Sequence, residues 1–218
     1  MQPTDFQQNP AGLPHRHIGR EPRWRPLRLF TGTELPAATR RWLTDDGSLT
    51  ARLIGLRRGA FRVQRLFQGW EVPLPSEAVL LAEPRRQVAL VREVALWLGE
   101  ETVVFARSVF PVSSLAGSLG HLRRLQNRSL GAILFRDPRM RRLPFELAHM
   151  PGDSAYLPPH LQQDRPAWGR RSRFDIAGSK LMVSEVFLQA FTPWQATLPV
   201  HRSQRGRVCA TFLSPGTP

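Results

Sequence analysis

One carboxylate lies on a face of a predicted strand that is otherwise apolar. In residues 180–188 the side chains alternate between two faces, so Glu185 points the same way as Leu181, Val183 and Phe187. An ionised side chain on an apolar face is unfavourable unless a partner compensates its charge. Glu185 is therefore a candidate for ligand binding or for acid–base chemistry.

A second predicted strand, within residues 88–98, has the same anomaly with the opposite charge. Arg92 shares its face with Leu90, Val94 and Leu96. Two opposite charges on apolar strand faces indicate either a buried ion pair or a pocket that holds a small polar ligand. From periodicity alone, structural pairing or an exposed strand face is slightly favoured over a functional site, because ion-pair networks also place charges in sheets.

The overall charge allows several classes of partner. The chain has 218 residues, with 31 Lys and Arg residues against 17 Asp and Glu residues and a formal net charge of +14. This balance is typical of proteins that bind nucleic acid or anionic membranes, and it also suits an enzyme with a dianionic substrate. The arginines occur in short scattered groups, without a helix-turn-helix, zinc-finger or RNA-recognition pattern. We therefore expect no nucleic-acid partner.

The cysteine and histidine content indicates neither disulfides nor a metal centre. Cys209 is the only cysteine, so an intramolecular disulfide and a cysteine-based metal site are excluded. Among the histidines, only His15 and His17 have a spacing suited to metal, and they lie in a predicted tail.

The sequence contains neither a secretory signal nor ~20 consecutive apolar residues. These features predict a soluble, cytoplasmic protein without a membrane segment.

Three segments are predicted along the chain. Residues 1–28 contain five prolines and few apolar side chains, which predicts a disordered amino-terminal tail. Residues 29–190 contain the regular elements and are predicted to form one domain. Residues 191–218 are irregular and rich in proline, which predicts a peripheral carboxyl-terminal extension.

The central segment combines strands and helices. Strands are predicted at 61–67, 88–98, 102–110, 173–177 and 181–188, with hairpin turns at Gly99 and at Gly178. Helices are predicted at 36–43, from Leu49 onward with Ser48 as its cap, at 113–125 and at 130–135. Strands joined by tight turns, with helices grouped between them, predict an α+β fold in which helices cover one side of a single antiparallel sheet.

Six fragments occur in a characteristic order between residues 42 and 188. They are 42–43 with 46–50, 91–94, 106–112, 129–131 with 134–135, 168–173 and 184–188. In this order they resemble the chorismate pyruvate-lyase family, which makes 4-hydroxybenzoate for ubiquinone biosynthesis. The resemblance implies helical flaps over an internal pocket and the conversion of chorismate to 4-hydroxybenzoate and pyruvate. Because aromatisation of the ring drives this reaction, neither a metal nor another cofactor is expected.

The resemblance also assigns site residues. Arg92 takes the position that binds the ring carboxylate, for which a guanidinium offers two parallel hydrogen bonds. Leu130 matches a leucine whose backbone N–H holds the ligand, and Leu49 matches a ligand-contacting methionine. Glu185 matches the carboxylate near the ring hydroxyl. The predicted catalytic residues are Glu185 and Arg92, and the predicted substrate-binding residues are Leu49, Arg92, Leu130 and Glu185.

The sequence leaves two points open. Glu185 either binds the hydroxyl or removes the neighbouring proton, since a hydrogen shift within chorismate would make a protein base unnecessary. The alternative function is a non-catalytic small-molecule-sensing domain of the same fold. Regulators with such domains carry an amino-terminal DNA-binding domain of ~60 or more residues, which residues 1–28 are too short to supply. We expect a monomer that binds chorismate and 4-hydroxybenzoate.

Overall fold

A nine-stranded sheet dominates the described part of the chain, which in this computed structural model comprises residues 21–56, 60–117, 119–196 and 207–208. Its strands are β1 (Arg25–Pro26), β2 (Phe61–Glu71), β3 (Ala89–Leu98), β4 (Glu101–Pro111), β5 (Met140–Arg142), β6 (Glu146–Met150), β7 (Ala167–Ile176), β8 (Ser179–Phe187) and β9 (Arg207–Val208). The α-helices are α1 (Ala37–Leu43), α2 (Leu49–Leu56), α3 (Pro75–Leu81), α4 (Val112–Ala116) and α5 (Leu130–Leu134). Short 3-10 helices occupy Leu27–Leu29, Gly120–Arg124, Pro159–Leu161 and Pro193–Gln195.

The strands follow an antiparallel path in the order β1-β6-β7-β8-β4-β3-β2. β5 lies off this path and pairs antiparallel with β7 and parallel with the two-residue β9. Two glycines with positive φ lie in the tight turns of the β3/β4 and β7/β8 hairpins, Gly99 at φ 67° and Gly178 at φ 81°. The predicted α+β fold with one antiparallel sheet is confirmed.

Several elements differ from the sequence prediction. β2 and β7 are longer than predicted, and β5 and β6 were not predicted, because strands of three and five residues show too little alternation. The single helix predicted at 113–125 is wrong: α4 ends at Ala116, where Gly117 leaves the helical conformation with φ −101° and ψ −138°, and the 3-10 helix follows at Gly120. Glycine weakens a helix, so the two glycines divide the segment.

Helices cover both faces of the sheet. On the first face α1, α2, α4 and α5 pack against alternate residues of the central strands, such as Leu90, Val94 and Leu96. The prediction that the helices lie on one side fails for α3, whose Leu81 packs against Val91 on the opposite face. The α-helices have five to eight residues, and in the part of the chain that the structure describes none is long and apolar enough to cross a membrane.

The amino-terminal boundary of the fold lies earlier than residue 29. Arg25 of β1 pairs with Leu147 of β6, and Trp24 makes an edge-to-face contact with Tyr156 at a centroid distance of 5.8 Å. These residues of the predicted tail therefore belong to the sheet and its packing. Residues 1–20 lie outside the described residues, so their disorder stays a prediction.

The beginning of the predicted carboxyl-terminal extension packs into the core. Phe191 is 1 % exposed and lies edge-to-face against Trp42 and Phe187, with ring centroids 5.0 and 4.8 Å apart. The expectation of a peripheral segment is therefore wrong for this residue, because a buried aromatic ring contributes a large apolar contact area. Residues 197–206 and 209–218 lie outside the described residues.

A buried ion network stabilises the face that carries α3. Arg107 Nε donates to Glu77 Oε1 at 2.8 Å, and Arg107 Nη1 donates to Glu93 Oε1 at 2.9 Å. Burial disfavours the charged guanidinium, but Glu77 and Glu93 outweigh this effect and raise the pKa of Arg107. This arginine therefore has a structural partner on the side of the sheet away from α2 and α5.

Candidate active site

A cavity of about 50 Å³ lies between the sheet and helices α2 and α5. All four residues predicted to bind substrate line it. Leu49 comes from α2, Arg92 from β3, Leu130 from α5 and Glu185 from β8. The structure thus brings together side chains that lie up to 136 positions apart in the sequence.

The register of the central strands explains why the two charged residues share this cavity. One row across β3, β4, β8 and β7 contains Arg92, Ser108, Val183 and Ser172. The neighbouring row on the same face contains Val94, Ala106, Glu185 and Arg170. Since antiparallel neighbours are ~4.8 Å apart, Arg92 and Glu185 start from strands whose axes are roughly 10 Å apart.

Arg92 is a buried cation without a carboxylate partner among the described residues. Its Nη2 donates to the backbone oxygens of Gln126 and Arg128 at 2.8 and 2.9 Å, while its buried Nε has no hydrogen-bond partner in the described part of the chain. Burial, followed by repulsion from Arg65, lowers the pKa of Arg92 to about 10. An anion placed beside this guanidinium would compensate its charge and fill its vacant donor.

Glu185 is held by a different arginine. Arg170 Nε donates to Glu185 Oε2 at 2.6 Å, and Arg170 Nη1 donates to the backbone oxygens of Trp42 and Asp45, each at 2.8 Å. No described residue donates a hydrogen bond to Glu185 Oε1. The pairing of Glu185 with Arg92, considered as a structural alternative, is therefore not present, and one carboxylate oxygen is available to a ligand.

Arg142 is a cavity residue that the sequence analysis missed. Its side chain is 3 % exposed, and its Nη2 lies 3.9 Å from Glu185 Oε2. Its Nε donates to Ser172 Oγ at 3.1 Å. Burial and then the neighbouring Arg170 lower the pKa of Arg142 to about 9, although Glu185 opposes this effect. The sequence signal was weak, because Arg142 belongs to a short basic run and to a three-residue strand.

The segment between α4 and α5, here called the flap, is tied to the sheet beside the cavity. Gln68 Nε2 donates to the Arg123 backbone oxygen at 2.7 Å, and the Arg65 backbone N–H donates to Asn127 Oδ1 at 3.1 Å. With the two bonds from Arg92, these contacts tie the flap to β2 and β3. Of its described residues, however, only Ser129 lines the cavity, and the helical cover comes from α2 and α5.

Ser129 connects the flap to α2. Its Oγ accepts a hydrogen bond from the Ala132 N–H at 3.3 Å and so caps α5, and it also donates to Thr50 Oγ1 at 2.9 Å. Ser48 caps α2 in the predicted way, accepting from the Ala51 N–H at 3.3 Å. Leu130 is the first residue of α5, where a backbone N–H has no acceptor within the helix.

The described residues contain no cluster of three or more His, Cys, Asp or Glu side chains that could hold a metal ion. Fold and cavity define a class: an α+β protein with a small cavity, lined by two arginines, between its sheet and two helices. The chain belongs to the chorismate lyase family, whose sequence model matches residues 29–196. This membership confirms the resemblance on which the site residues were chosen.

Relatives within the family cover most of the described fold. A probable chorismate pyruvate-lyase of Pseudomonas aeruginosa is 44 % identical over 147 residues, which are 67 % of this chain and 81 % of that protein. A probable chorismate pyruvate-lyase of Methylococcus capsulatus is 43 % identical over 153 residues, or 68 % of this chain and 93 % of that one. A third, from Pseudomonas fluorescens, is 39 % identical over 176 residues, 80 % and 92 % of the two chains.

Two of the solved structures that resemble this chain do so only distantly. The PhnF C-terminal domain has a TM-score of 0.47 and 12 % identity, and the match covers 62 % of this chain and 87 % of that one. The effector domain of PhnF from Mycobacterium smegmatis has a TM-score of 0.46 and 15 % identity, covering 66 % and 89 %. Similarities at this level carry no information about the activity of the present chain.

Proposed function

We propose that the protein is a chorismate pyruvate-lyase, which converts chorismate to 4-hydroxybenzoate and pyruvate in the first committed step of ubiquinone biosynthesis. The observation that carries the proposal is the meeting of Leu49, Arg92, Leu130 and Glu185 around one covered cationic cavity. Membership of the chorismate lyase family supports it, and the relatives named above bear the same activity in their names.

Arg92 binds the ring carboxylate in this proposal. A carboxylate beside the guanidinium fills the vacant Nε donor and compensates a charge that burial otherwise disfavours. The N–H of Leu130 adds a donor at the start of α5, and Leu49 with Val94 supplies an apolar wall for the ring. Binding at these groups orients the substrate before any bond breaks.

The reaction breaks the bond between ring carbon and ether oxygen. The side chain leaves as enolpyruvate and becomes pyruvate when its methylene carbon gains a proton, while the ring loses the proton beside the hydroxyl and becomes aromatic. Atoms and electrons balance without an oxidant or reductant. Glu185 Oε1 accepts a hydrogen bond from the ring hydroxyl, and Glu185 either removes the neighbouring proton or orients the ring while that proton passes to the enol carbon within the substrate.

We further propose that the protein works as a monomer. We also propose a cytoplasmic location and binding of both chorismate and 4-hydroxybenzoate.

Incubation of purified protein with chorismate tests the function, with 4-hydroxybenzoate and pyruvate measured together. Equal amounts of the two products are expected, with and without a chelator. Chorismate that is bound but unchanged would instead favour the sensing-domain alternative.

A further inference from the structure

Arg142 is a second buried cation in the cavity wall, and the protein compensates its charge only partly. Its contact with Glu185 is a long one, 3.9 Å, whereas Arg170 reaches the same carboxylate oxygen at 2.6 Å. Arg92 and Arg142 line the cavity together with Glu185, and Arg170 adds a third buried guanidinium that contacts this carboxylate. Such an excess of buried positive charge favours an anion with more than one negative charge.

The hydrogen bonds that Arg142 makes within the protein leave part of the donor capacity of its guanidinium weakly used. Nε donates to Ser172 Oγ at 3.1 Å, and Nη1 reaches the backbone oxygens of Asp46 and Gly47 only at 3.4 Å. A donor–acceptor distance of 3.4 Å lies beyond the usual range for N–H···O bonds. The guanidinium also lies over the Phe145 ring, 4.1 Å from its centroid. These contacts orient Arg142 without neutralising it.

Arg92 and the partly compensated Arg142 approach the cavity from opposite ends. Arg92 begins one row of the sheet on β3, and Ser172, the hydrogen-bond partner of Arg142, ends the same row on β7. Three strand spacings separate the Cα atoms of Arg92 and Ser172, roughly 14 Å. Between them the floor consists of the short side chains Ser108 and Val183. A ligand on this floor therefore meets a guanidinium at each end.

We propose that Arg142 binds the second carboxylate of the substrate, the one on the enolpyruvyl side chain, while Arg92 holds the ring carboxylate. This inference rests on the proposed function, because chorismate has two carboxylates and 4-hydroxybenzoate has one. Arg142 then distinguishes substrate from product. Loss of the side chain as pyruvate removes the anion that Arg142 holds, so the remaining product is bound from one end only.

Two stable ligands test the proposal without turnover. 4-Hydroxy-3-methoxybenzoate has one carboxylate, and 3-(carboxymethoxy)-4-hydroxybenzoate adds a second one where the substrate carries its side chain. Calorimetry measures both affinities in the wild type, in Arg142→Gln and Arg142→Lys, and in Arg141→Gln, a matched control on an exposed position of the same strand. The ratio of the two affinities in each protein isolates the contribution of the second carboxylate.

The wild type and Arg141→Gln are expected to bind the dianion ~30-fold tighter or more, as for other buried charge pairs. This preference is expected to vanish in Arg142→Gln and to shrink in Arg142→Lys, with little change for the monoanion. If Arg142 has only a structural role, Arg142→Gln should instead weaken the binding of both ligands equally. A wild type without the preference, or a preference unchanged in Arg142→Gln, overturns the proposal.

If Arg142→Gln does not fold, the affinity ratio of Arg142→Lys is the test. This variant keeps the positive charge but lacks the planar guanidinium fork. An undiminished preference in that variant overturns the proposal. The outcome is independent of catalysis: a protein that shows the expected ratios but leaves chorismate unchanged contradicts the proposed lyase activity alone. A protein that converts chorismate but lacks the preference contradicts only the role of Arg142.

Discussion

Arg170 Nε donates a hydrogen bond to Glu185 Oε2 over 2.6 Å, and this contact joins two adjacent strands across one row of the sheet. The same arginine reaches the backbone oxygens of Trp42 and Asp45, so it links the carboxylate to the end of α1. Glu185 is therefore positioned by Arg170, and no carboxylate of the described residues pairs with Arg92. That separation leaves an uncompensated buried arginine and an oriented carboxylate in the lining of the same cavity.

Arg170→Lys should lower turnover, because an ammonium lacks the fork that reaches Glu185 and both backbone oxygens at once. We expect a loss of ~10- to 100-fold from misplacement of the carboxylate, together with a lower melting temperature. Steady-state kinetics and thermal unfolding measure the two effects. Arg173→Lys serves as the control, since Arg173 pairs with Asp175 at a half-exposed position. Full turnover in Arg170→Lys would contradict the positioning role.

Arg92→Ala should weaken binding of 4-hydroxybenzoate by ~2–5 kcal/mol, because it removes a charge-assisted pair from a buried site. Arg92→Lys should recover part of this loss, since the charge returns without the bidentate geometry. Calorimetric titration of the folded variants measures both. Arg62→Ala is the matched control, because Arg62 is exposed and stacks on Trp97 at the sheet edge. Unchanged affinity in Arg92→Ala would remove Arg92 from the site.

Glu185→Gln should reduce turnover by an order of magnitude or more if the carboxylate takes part in proton transfer, since general-base contributions are ~10²–10⁴-fold. A smaller loss would favour hydrogen bonding to the ring hydroxyl and the proton route within the substrate. Glu146→Gln breaks a similar ion pair, with Arg171 at 2.7 Å, outside the cavity lining. We expect that control to change the melting temperature only. A destabilised Glu185→Gln protein with full turnover would assign Glu185 a structural role.

Glu77→Gln should destabilise the protein by ~3–5 kcal/mol, because it weakens the compensation of a buried Arg107. Chemical denaturation measures this change. The substitution lies on the opposite face of the sheet, so the affinity of the folded protein for 4-hydroxybenzoate should stay near the wild-type value. Glu34→Gln, which breaks a pair with Arg25 at the surface, should leave unfolding nearly unchanged. Equal effects of the two substitutions would contradict the special role of the buried network.

Local periodicity was sufficient for much of the fold. Alternation of side chains placed Glu185 and Arg92 on buried strand faces, and the glycines of two turns predicted the hairpins that join β3 to β4 and β7 to β8. The capping role of Ser48 at the start of α2 could also be predicted, because a helix cap depends on a neighbour only three positions away. The roles of Leu49 and Leu130 came from the resemblance, since an apolar side chain on a helix is by pattern alone a core residue.

Tertiary structure determined which charged side chains pair with each other. The alternation of a strand determines which side chains share a face, but it carries no information about which distant strand lies alongside. Pairing of β7 with β8 placed Arg170 opposite Glu185, and pairing of β5 with β7 brought Arg142 to the cavity. Opposite charges in a sequence therefore showed that compensation was required, whereas the register of the folded sheet determined which arginine holds Glu185 most closely.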